Sequence, residues 1–69
     1  MPKLQSSRHI INILEEHGFR FVSQKGSHVK FRKIVKPTLT VIIPANKKEI
    51  PYGTFHSILR QSGVSEEAF

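Results

Sequence analysis

One histidine beside a row of cations is the residue of this sequence best suited to chemistry. His28 follows Gly26 and Ser27, and it precedes Lys30 and Arg32 at intervals of two residues. An imidazole gives or accepts a proton near pH 7, and adjacent cations can bind a phosphodiester and stabilise charge developing on it. Because RNA carries its own 2′-hydroxyl nucleophile, these groups would suffice to cleave it without a metal. The alternative is that His28 is an ordinary exposed strand residue.

The sequence lacks the residues that other common catalytic arrangements require. The sequence has no cysteine and no aspartate, which excludes thiol nucleophiles, zinc–thiolate sites and Ser–His–Asp triads. All the glutamates lie outside the segment 17–48, so no carboxylate pair is expected near the central strand. The remaining histidines lack the i, i+4 spacing of zinc ligands, and no metal is expected. We predict that His9 is exposed, that His56 lies at the surface or at the rim of the core, and that His17 caps a helix end.

The distribution of charge predicts a surface that binds a polyanion. The chain of 69 residues has a formal net charge of +6, from 11 Lys and Arg against 5 acids. The acid-free segment 17–48 contains Arg20, Lys25, Lys30, Arg32, Lys33, Lys36, Lys47 and Lys48. A basic centre with acidic flanks is typical of nucleic-acid binding. A basic surface with no specific partner is the alternative.

Length and composition limit the class of protein. A chain of this size is expected to form one domain, 1–69, whose thin core favours a shallow surface site over a deep pocket. The lack of cysteine and of a signal-like apolar segment predicts an intracellular, cytoplasmic location. The longest apolar stretch, Val41–Ala45, is far shorter than the roughly 20 residues of a membrane span, so no membrane association is expected.

The first helix has the clearest boundaries. It is predicted to run from Ser6 or Ser7, either of which can cap it, to His17. One face of this helix is predicted from the i, i+3, i+4, i+7 spacing of Ile10, Ile13, Leu14 and His17. Gly18 suits the left-handed position beyond a helix end, and Phe19 should then pack on the last turn.

Three strands and a second helix should follow. The predicted strands are 19–24, 27–33 and 38–43, and their short connections favour an antiparallel meander. On the second strand Val29 and Phe31 face the core, whereas His28 faces the other way. A second helix is predicted from about Gly53 to Ser62, before a short terminal helical turn. The expected fold is therefore α+β, with both helices on one face of a three-stranded antiparallel sheet, as in a double-stranded RNA-binding domain.

Several motifs together resemble the HicA family of bacterial and archaeal toxins. They are Gly18-Phe19, Gly26-Ser27-His28, Val41-Ile42-Ile43-Pro44, Gly53-Thr54 and Ile58-Leu59-Arg60-Gln61-Ser62-Gly63. They occur in the family's order over nearly the whole chain. The resemblance implies the same double-stranded RNA-binding-like fold and a metal-independent, cofactor-free endoribonuclease that cleaves mRNA, with His28 as its catalytic residue. It also implies a HicB-type antitoxin that binds the toxin and covers this site.

The resemblance also suggests roles for neighbouring residues. Gly26 would permit the turn that presents His28, and Ser27 would orient the imidazole or the phosphate. The residues inferred from strand alternation to bind RNA are Lys25, Lys30 and Arg32. Many relatives carry another histidine after the strand-ending proline, where this chain has Ala45-Asn46-Lys47-Lys48. Lys47 could supply positive charge there, though not readily a proton exchange at pH 7.

Two other functions use the same surface. A non-catalytic RNA-binding module of the same fold would explain the charge equally well. Duplex RNA binders, however, place cations at the start of the second helix, and here no Lys or Arg precedes Arg60. A pure interaction protein that docks an acidic partner is the third hypothesis, and it is compatible with a toxin that binds an antitoxin.

Overall fold

A computed structural model of the chain describes residues 3–69; of the predicted domain 1–69, positions 1 and 2 lie outside the described residues. The elements are α1 Ser7–Glu16, β1 Arg20–Lys25, β2 His28–Lys33, β3 Leu39–Pro44, α2 Tyr52–Ser62 and a 3₁₀ turn, Glu66–Ala68. The strands form one antiparallel sheet in the order β1-β2-β3. The α+β class and the predicted order of elements are confirmed.

The core lies between the two helices and one face of the sheet. Its buried apolar residues are Ile10, Leu14, Phe19, Val29, Phe31, Val41, Ile43, Ile50, Phe55 and Ile58. Val29 and Phe31 of β2 contribute to it as predicted, and Val41 and Ile43 of β3 alternate in the same way, because successive strand side chains point to opposite faces. Ile50 comes from the loop before α2, and its amide donates to the Gln5 carbonyl at 2.7 Å. Its burial was not predicted.

Helix α1 ends in the predicted way. Gly18 has a φ of 94°, and the amide of Phe19 donates to the Leu14 carbonyl at 3.0 Å. Phe19 is completely buried against the core, as a Schellman ending expects. Of the residues predicted to share one helical face, Ile10 and Leu14 are buried, whereas His17 follows the last helical turn and is exposed. Its Nδ1 lies 3.0 Å from the Ile13 carbonyl oxygen, so the predicted capping role is confirmed.

Strands β1 and β2 are joined by a two-residue turn, Gly26-Ser27, so that Lys25 pairs with His28. Gly26 has a φ of 59°, and positive φ at the first turn residue alone is the pattern of a type II′ hairpin turn. The sequence predicts this turn one residue earlier, at Lys25-Gly26, whereas Lys25 is the last residue of β1. Strand β2 begins at His28, one residue later than predicted, because Ser27 belongs to the turn.

Strand β1 is an irregular edge strand. Phe21 pairs with Phe31 and Ser23 pairs with Lys30, so Val22 is the extra residue of a β-bulge. Every residue of β1 is exposed, because the helices pack mainly on β3. Phe21 stays 58% exposed although its position faces the helix side of the sheet. The bulge and this exposure were not predicted.

Helix α2 begins at Tyr52, one residue before the predicted start, and ends at the predicted Ser62. Gly63 has a φ of 70°, and its amide donates to the Leu59 carbonyl at 2.9 Å, as a left-handed helix ending requires. The Ser62 hydroxyl accepts from the amide of Val64 at 3.1 Å. Val64 packs against the core, so it closes the helix end with an apolar contact.

The terminal turn folds back onto both helices. Ser65 caps it by accepting from the Glu67 amide at 3.3 Å. Phe69 packs edge to face on Phe55, with ring centroids 5.2 Å apart. The Nε2 atom of His9 lies 2.7 Å from the Phe69 carbonyl oxygen. The prediction that His9 is simply exposed is therefore wrong, since this contact leaves it half-buried.

Candidate functional site

The face of the sheet opposite the helices carries His28 at its hairpin end. Lys25 of β1 and Pro44 of β3 lie directly across from it in the two strand registers. Directly paired residues project to the same face of a sheet, so both flank the imidazole. His28 is the first residue of β2 and is exposed. A polyanion can therefore reach the imidazole and the Lys25 ammonium together.

Lys30 and Arg32 extend this arrangement along β2. Both project to the same face as His28, and both are half-buried. At about 3.4 Å per residue, the three side chains form a row about 14 Å long. Arg20 lies opposite Arg32, but its guanidinium donates to the Phe19 carbonyl at 2.9 Å and to the end of α1. The free cations of this face are therefore concentrated on β2 and at Lys25.

The hairpin turn is tied to the segment that follows β3. The Ser27 carbonyl accepts from the amide of Ala45 at 2.7 Å. This bond joins the turn before His28 to the residues after Pro44, which is the paired neighbour of His28. Two backbone connections therefore fix the position of His28: its strand pairing and the hydrogen bond from the preceding turn.

A buried serine holds the segment 44–47 in place. The Ser7 amide donates to the Lys47 carbonyl at 2.9 Å, and the Lys47 amide donates to Ser7 Oγ at 3.0 Å. The Ser7 hydroxyl in turn donates to the Pro44 carbonyl. Ser7 is only 4% exposed, and the segment it clamps includes Asn46 at a φ of 56°. Ser6 is the helix cap, as its Oγ accepts from a first-turn amide at 3.1 Å.

The three hydrogen bonds that join Ser7 to residues 44 and 47 are called the Ser7 clamp below. This clamp was not predicted from the sequence, because both serines at the start of α1 were considered only as helix caps. A single side chain can occupy the N-cap position, so the second serine is free for another role. Its partners lie 37 and 40 residues away in the chain, where no local pattern indicates them. The pair of serines was the only available signal.

Lys47 lies apart from the other predicted site residues. Its side chain lines an open groove of about 790 Å³ on the helix side of the sheet, between α1 and the β1–β2 hairpin. The residues that the structure brings together on the opposite face are Lys25, Gly26, Ser27, His28, Lys30 and Arg32. The segment that contains Lys47 is joined to them by the Ala45–Ser27 hydrogen bond and by the pairing of Pro44 with His28. Phe21 and Gln24, which also line this groove, were not predicted as site residues.

A second group of polar residues lies at the start of α2. The Tyr52 hydroxyl donates to Glu66 Oε2 at 3.1 Å, and this hydrogen bond, with partial desolvation and the Glu66 charge, raises the pKa of Tyr52. The rings of His56 and Tyr52 have centroids 4.4 Å apart, and His56 is half-buried, which agrees with the predicted position at the surface or the rim of the core. Within residues 3–69 its Nε2 is the one buried side-chain polar atom without a hydrogen-bond partner.

No group of three or more His, Cys, Asp or Glu residues in the described part of the chain is placed to hold a metal ion. None of the helices within residues 3–69 has the length and apolar character needed to cross a membrane.

A family model for the HicA toxin of bacterial toxin–antitoxin systems matches residues 7–64. The chain belongs to the HicA toxin family. This membership confirms the resemblance inferred from the sequence motifs, and the matched segment contains the whole sheet face around His28. No curated protein sequence matches the chain at a significant level. As a HicA-family member the chain is the toxin of a toxin–antitoxin system, which implies an antitoxin partner.

Proposed function

We propose that this HicA-family toxin is an endoribonuclease that cleaves mRNA, with His28 as its proton-transfer residue. The observation that carries the proposal is the exposed imidazole, paired with Lys25 at the hairpin end and followed along β2 by Lys30 and Arg32. A group that exchanges a proton at neutral pH thus lies beside cations that attract phosphate. Such a toxin would act where mRNA is found, in the cytoplasm.

The chemistry follows from the substrate. The 2′-hydroxyl oxygen of RNA attacks the adjacent phosphorus, so that an O2′–P bond forms and the P–O5′ bond breaks. His28 would take the 2′-hydroxyl proton as general base or give a proton to the leaving 5′-oxygen as general acid, with water completing the other transfer. The products are a 2′,3′-cyclic phosphate and a 5′-hydroxyl. Lys25, Lys30 and Arg32 would stabilise the negative charge on the phosphorane.

The turn residues and the antitoxin complete the proposal. Gly26 would allow the turn that presents His28, and Ser27 would orient the imidazole or donate to a phosphate oxygen. Lys47 would contact the RNA from the other side of the hairpin tip. Because every group required by the reaction is on the protein or the RNA, no cofactor is needed. A HicB-type antitoxin would inhibit the enzyme by covering the face around His28.

The test is an RNA-cleavage assay in EDTA with single-stranded RNA, using wild type, His28→Ala and His17→Ala. His17 is a matched control, because it is also exposed but caps the far end of α1. We expect wild type and His17→Ala to leave 2′,3′-cyclic phosphate ends and His28→Ala to be inactive. All three should keep the same far-ultraviolet circular dichroism. Undiminished cleavage by a folded His28→Ala would contradict the assignment.

The same assay distinguishes the main alternative, a non-catalytic RNA-binding module of this fold. Its basic face would be the same, and the protein would bind RNA without producing new ends. RNA binding by wild type with no cleavage would favour that module. Within α2, Arg60 is the first Lys or Arg, so the start of this helix has no strongly basic side chain. This argues against the binding of duplex RNA.

A further inference from the structure

The groove between α1 and the β1–β2 hairpin contains an aromatic ring that the core does not use. Phe21 is 58% exposed, and it lines the groove beside the buried Phe31, with ring planes at 85° and centroids 6.1 Å apart. Core packing therefore covers only part of the Phe21 ring. An exposed aromatic ring in a cationic groove is a stacking platform for a nucleic-acid base, because every base has a π-face.

Three residues with amide side chains line the same groove as this ring. Asn12 of α1, Gln24 of β1 and Asn46 of the segment after β3 all line the groove. Each amide offers donors and an acceptor, which is the chemistry that reads the edges of unpaired bases. The Gln24 amide nitrogen donates to the Gly26 carbonyl at 3.1 Å, which directs this side chain at the hairpin tip. Asn46 is held in its left-handed conformation by the Ser7 clamp.

The rim of the groove is positively charged. Arg8, Lys47 and Lys48 line it and are exposed, and the lining contains no acidic residue. This composition suits a phosphate backbone that passes the groove while its base enters it. An acidic peptide would also be attracted to the rim, but it would leave the three amides and the aromatic platform without a specific use.

The groove adjoins the proposed site at the hairpin tip. Gln24 lines the groove, and the next residue, Lys25, is paired with His28 on the opposite face. The end of the groove is the segment whose Ala45 amide bonds to Ser27, the residue before His28. A strand of RNA that crosses the hairpin tip could therefore present a phosphate to His28 and an adjacent base to the groove.

We propose that this groove binds one unpaired base near the scissile phosphate and thereby sets the sequence preference of cleavage. The proposal rests on the ribonuclease function proposed above, and it adds a specificity site on the helix side of the sheet. Phe21 provides stacking, and Asn12, Gln24 and Asn46 provide hydrogen bonds. These four are binding residues and take no part in proton transfer.

The first measurement is binding, made in a His28→Ala background so that RNA stays intact. Fluorescence anisotropy with labelled single-stranded RNA oligonucleotides would measure the affinity of the His28→Ala protein. The same measurement would be made after adding Phe21→Leu or Phe21→Tyr. Because stacking on an aromatic side chain is worth about 1–3 kcal/mol per base, we expect Phe21→Leu to weaken binding roughly tenfold and Phe21→Tyr to retain it. Unchanged affinity for Phe21→Leu, with the fold intact, would overturn the proposal even if wild type cleaves RNA.

The second measurement is the pattern of cleavage. The ends produced from a long single-stranded RNA would be mapped by sequencing for wild type, Asn12→Ala and Gln24→Ala with His28 present. We expect the amide variants to cut at a broader or altered set of sites. An unchanged pattern in both variants would exclude base recognition by these amides. If wild type does not cleave at all, the ribonuclease proposal fails, while the binding experiment still decides whether the groove holds a base.

A protein partner is the competing occupant of the groove. If Phe21→Leu left RNA binding unchanged and abolished binding of the cognate antitoxin, the groove would be a docking site for that protein. Thermal unfolding of each variant would identify any loss caused by misfolding. Phe21→Tyr again provides the control, since it conserves the ring and most of the contacts of Phe21.

Discussion

At the scale of single residues, Ser7 determines the position of the segment next to the proposed site. Its side chain and amide make three hydrogen bonds to residues 44 and 47, and it is almost fully buried. A hydroxyl in this position bonds one carbonyl and one amide at a partly buried place in the structure. The start of α1 and the loop beside His28 are therefore one structural unit.

Ser7→Ala should destabilise the protein, because it leaves the Pro44 carbonyl and the Lys47 amide unpaired. The expected loss is about 1–3 kcal/mol in the free energy of unfolding, measured by urea denaturation. Ser57→Ala is the control, since that hydroxyl bonds only within its own helix, at 3.3 Å, and to one exposed arginine. Equal stabilities for the two variants would contradict the clamp.

Tyr52 provides a second test at this scale, because it is the only tyrosine and the chain has no tryptophan. Its phenol should titrate above the ordinary value of 10.0, since the hydrogen bond to Glu66 favours the protonated form and raises the pKa. Ultraviolet absorbance would follow the phenolate. Glu66→Ala should lower this pKa toward its ordinary value, whereas Glu67→Ala should not.

The raised pKa of Tyr52 determines how its contribution to the free energy of unfolding changes with pH. The folded state favours the neutral phenol, so this contribution to stability is complete below the unfolded pKa. It is lost as the pH rises through the folded pKa. If the stabilising contribution of Tyr52 were instead lost as the pH falls, the Glu66 hydrogen bond could not be the cause of the raised pKa.

At the scale of elements, Gly26 and Gly53 differ in whether their backbone conformation requires glycine. Gly26 has a φ of 59°, whereas Gly53 lies in helix α2 without a positive φ, and an added Cβ would meet nothing within 4 Å at either position. Steric contact is therefore the same for both, and only the backbone conformation differs. Gly26 is needed for the turn, and Gly53 is not.

Gly26→Ala should destabilise the protein by about 1–2 kcal/mol, the cost of a left-handed L-residue. Gly53→Ala should instead stabilise it by up to about 1 kcal/mol, because alanine restricts the unfolded chain and favours a helix. Thermal or urea unfolding would compare both with wild type. Unchanged or increased stability of Gly26→Ala would show that the turn does not require positive φ, and destabilisation by Gly53→Ala would contradict the prediction for α2.

The boundaries of helices, strands and turns could be predicted where they depend on residues that are neighbours in the sequence. The ends of α1 and α2, the turn at Gly26 and the alternation around Val29 depend on neighbouring residues, and each was identified to within one or two positions. The bulge at Val22 depends on how β1 aligns with β2, which no single segment encodes. The Ser7 clamp and the burial of Ile50 depend on contacts between distant parts of the chain. The same distinction explains why the row beside His28 was predicted and the groove was not.

At the scale of the whole molecule, the positive charge should make RNA binding depend strongly on salt. The net charge is +6, and the sheet face carries Lys25, Lys30 and Arg32 beside His28. Each phosphate contact to single-stranded RNA releases counterions, so the slope of log affinity against log salt is about −0.7 per contact. The number of phosphate contacts is thus measurable in solution.

Lys30→Ala should reduce the magnitude of this slope by about 0.7, when binding is measured in the His28→Ala background at several salt concentrations. Lys36→Ala is the matched control. Lys36 has the same charge and is exposed in the connection between β2 and β3, away from the hairpin tip. Equal slopes for Lys30→Ala and Lys36→Ala would mean that the charge acts diffusely and not through the row on β2.

The edge position of β1 has a consequence for how the molecule opens. This strand is bonded to one neighbour, is interrupted by a bulge and buries none of its residues. Its amides should therefore exchange with solvent through local unfolding at a free energy well below that of global unfolding. The opening would separate Lys25 from His28 and remove one wall of the groove, while β2, β3 and both helices stay folded. Strand β1, which contributes Lys25 and Phe21 to the proposed RNA surface, should thus open before β2 and β3, and RNA that bridges the hairpin tip should slow this exchange.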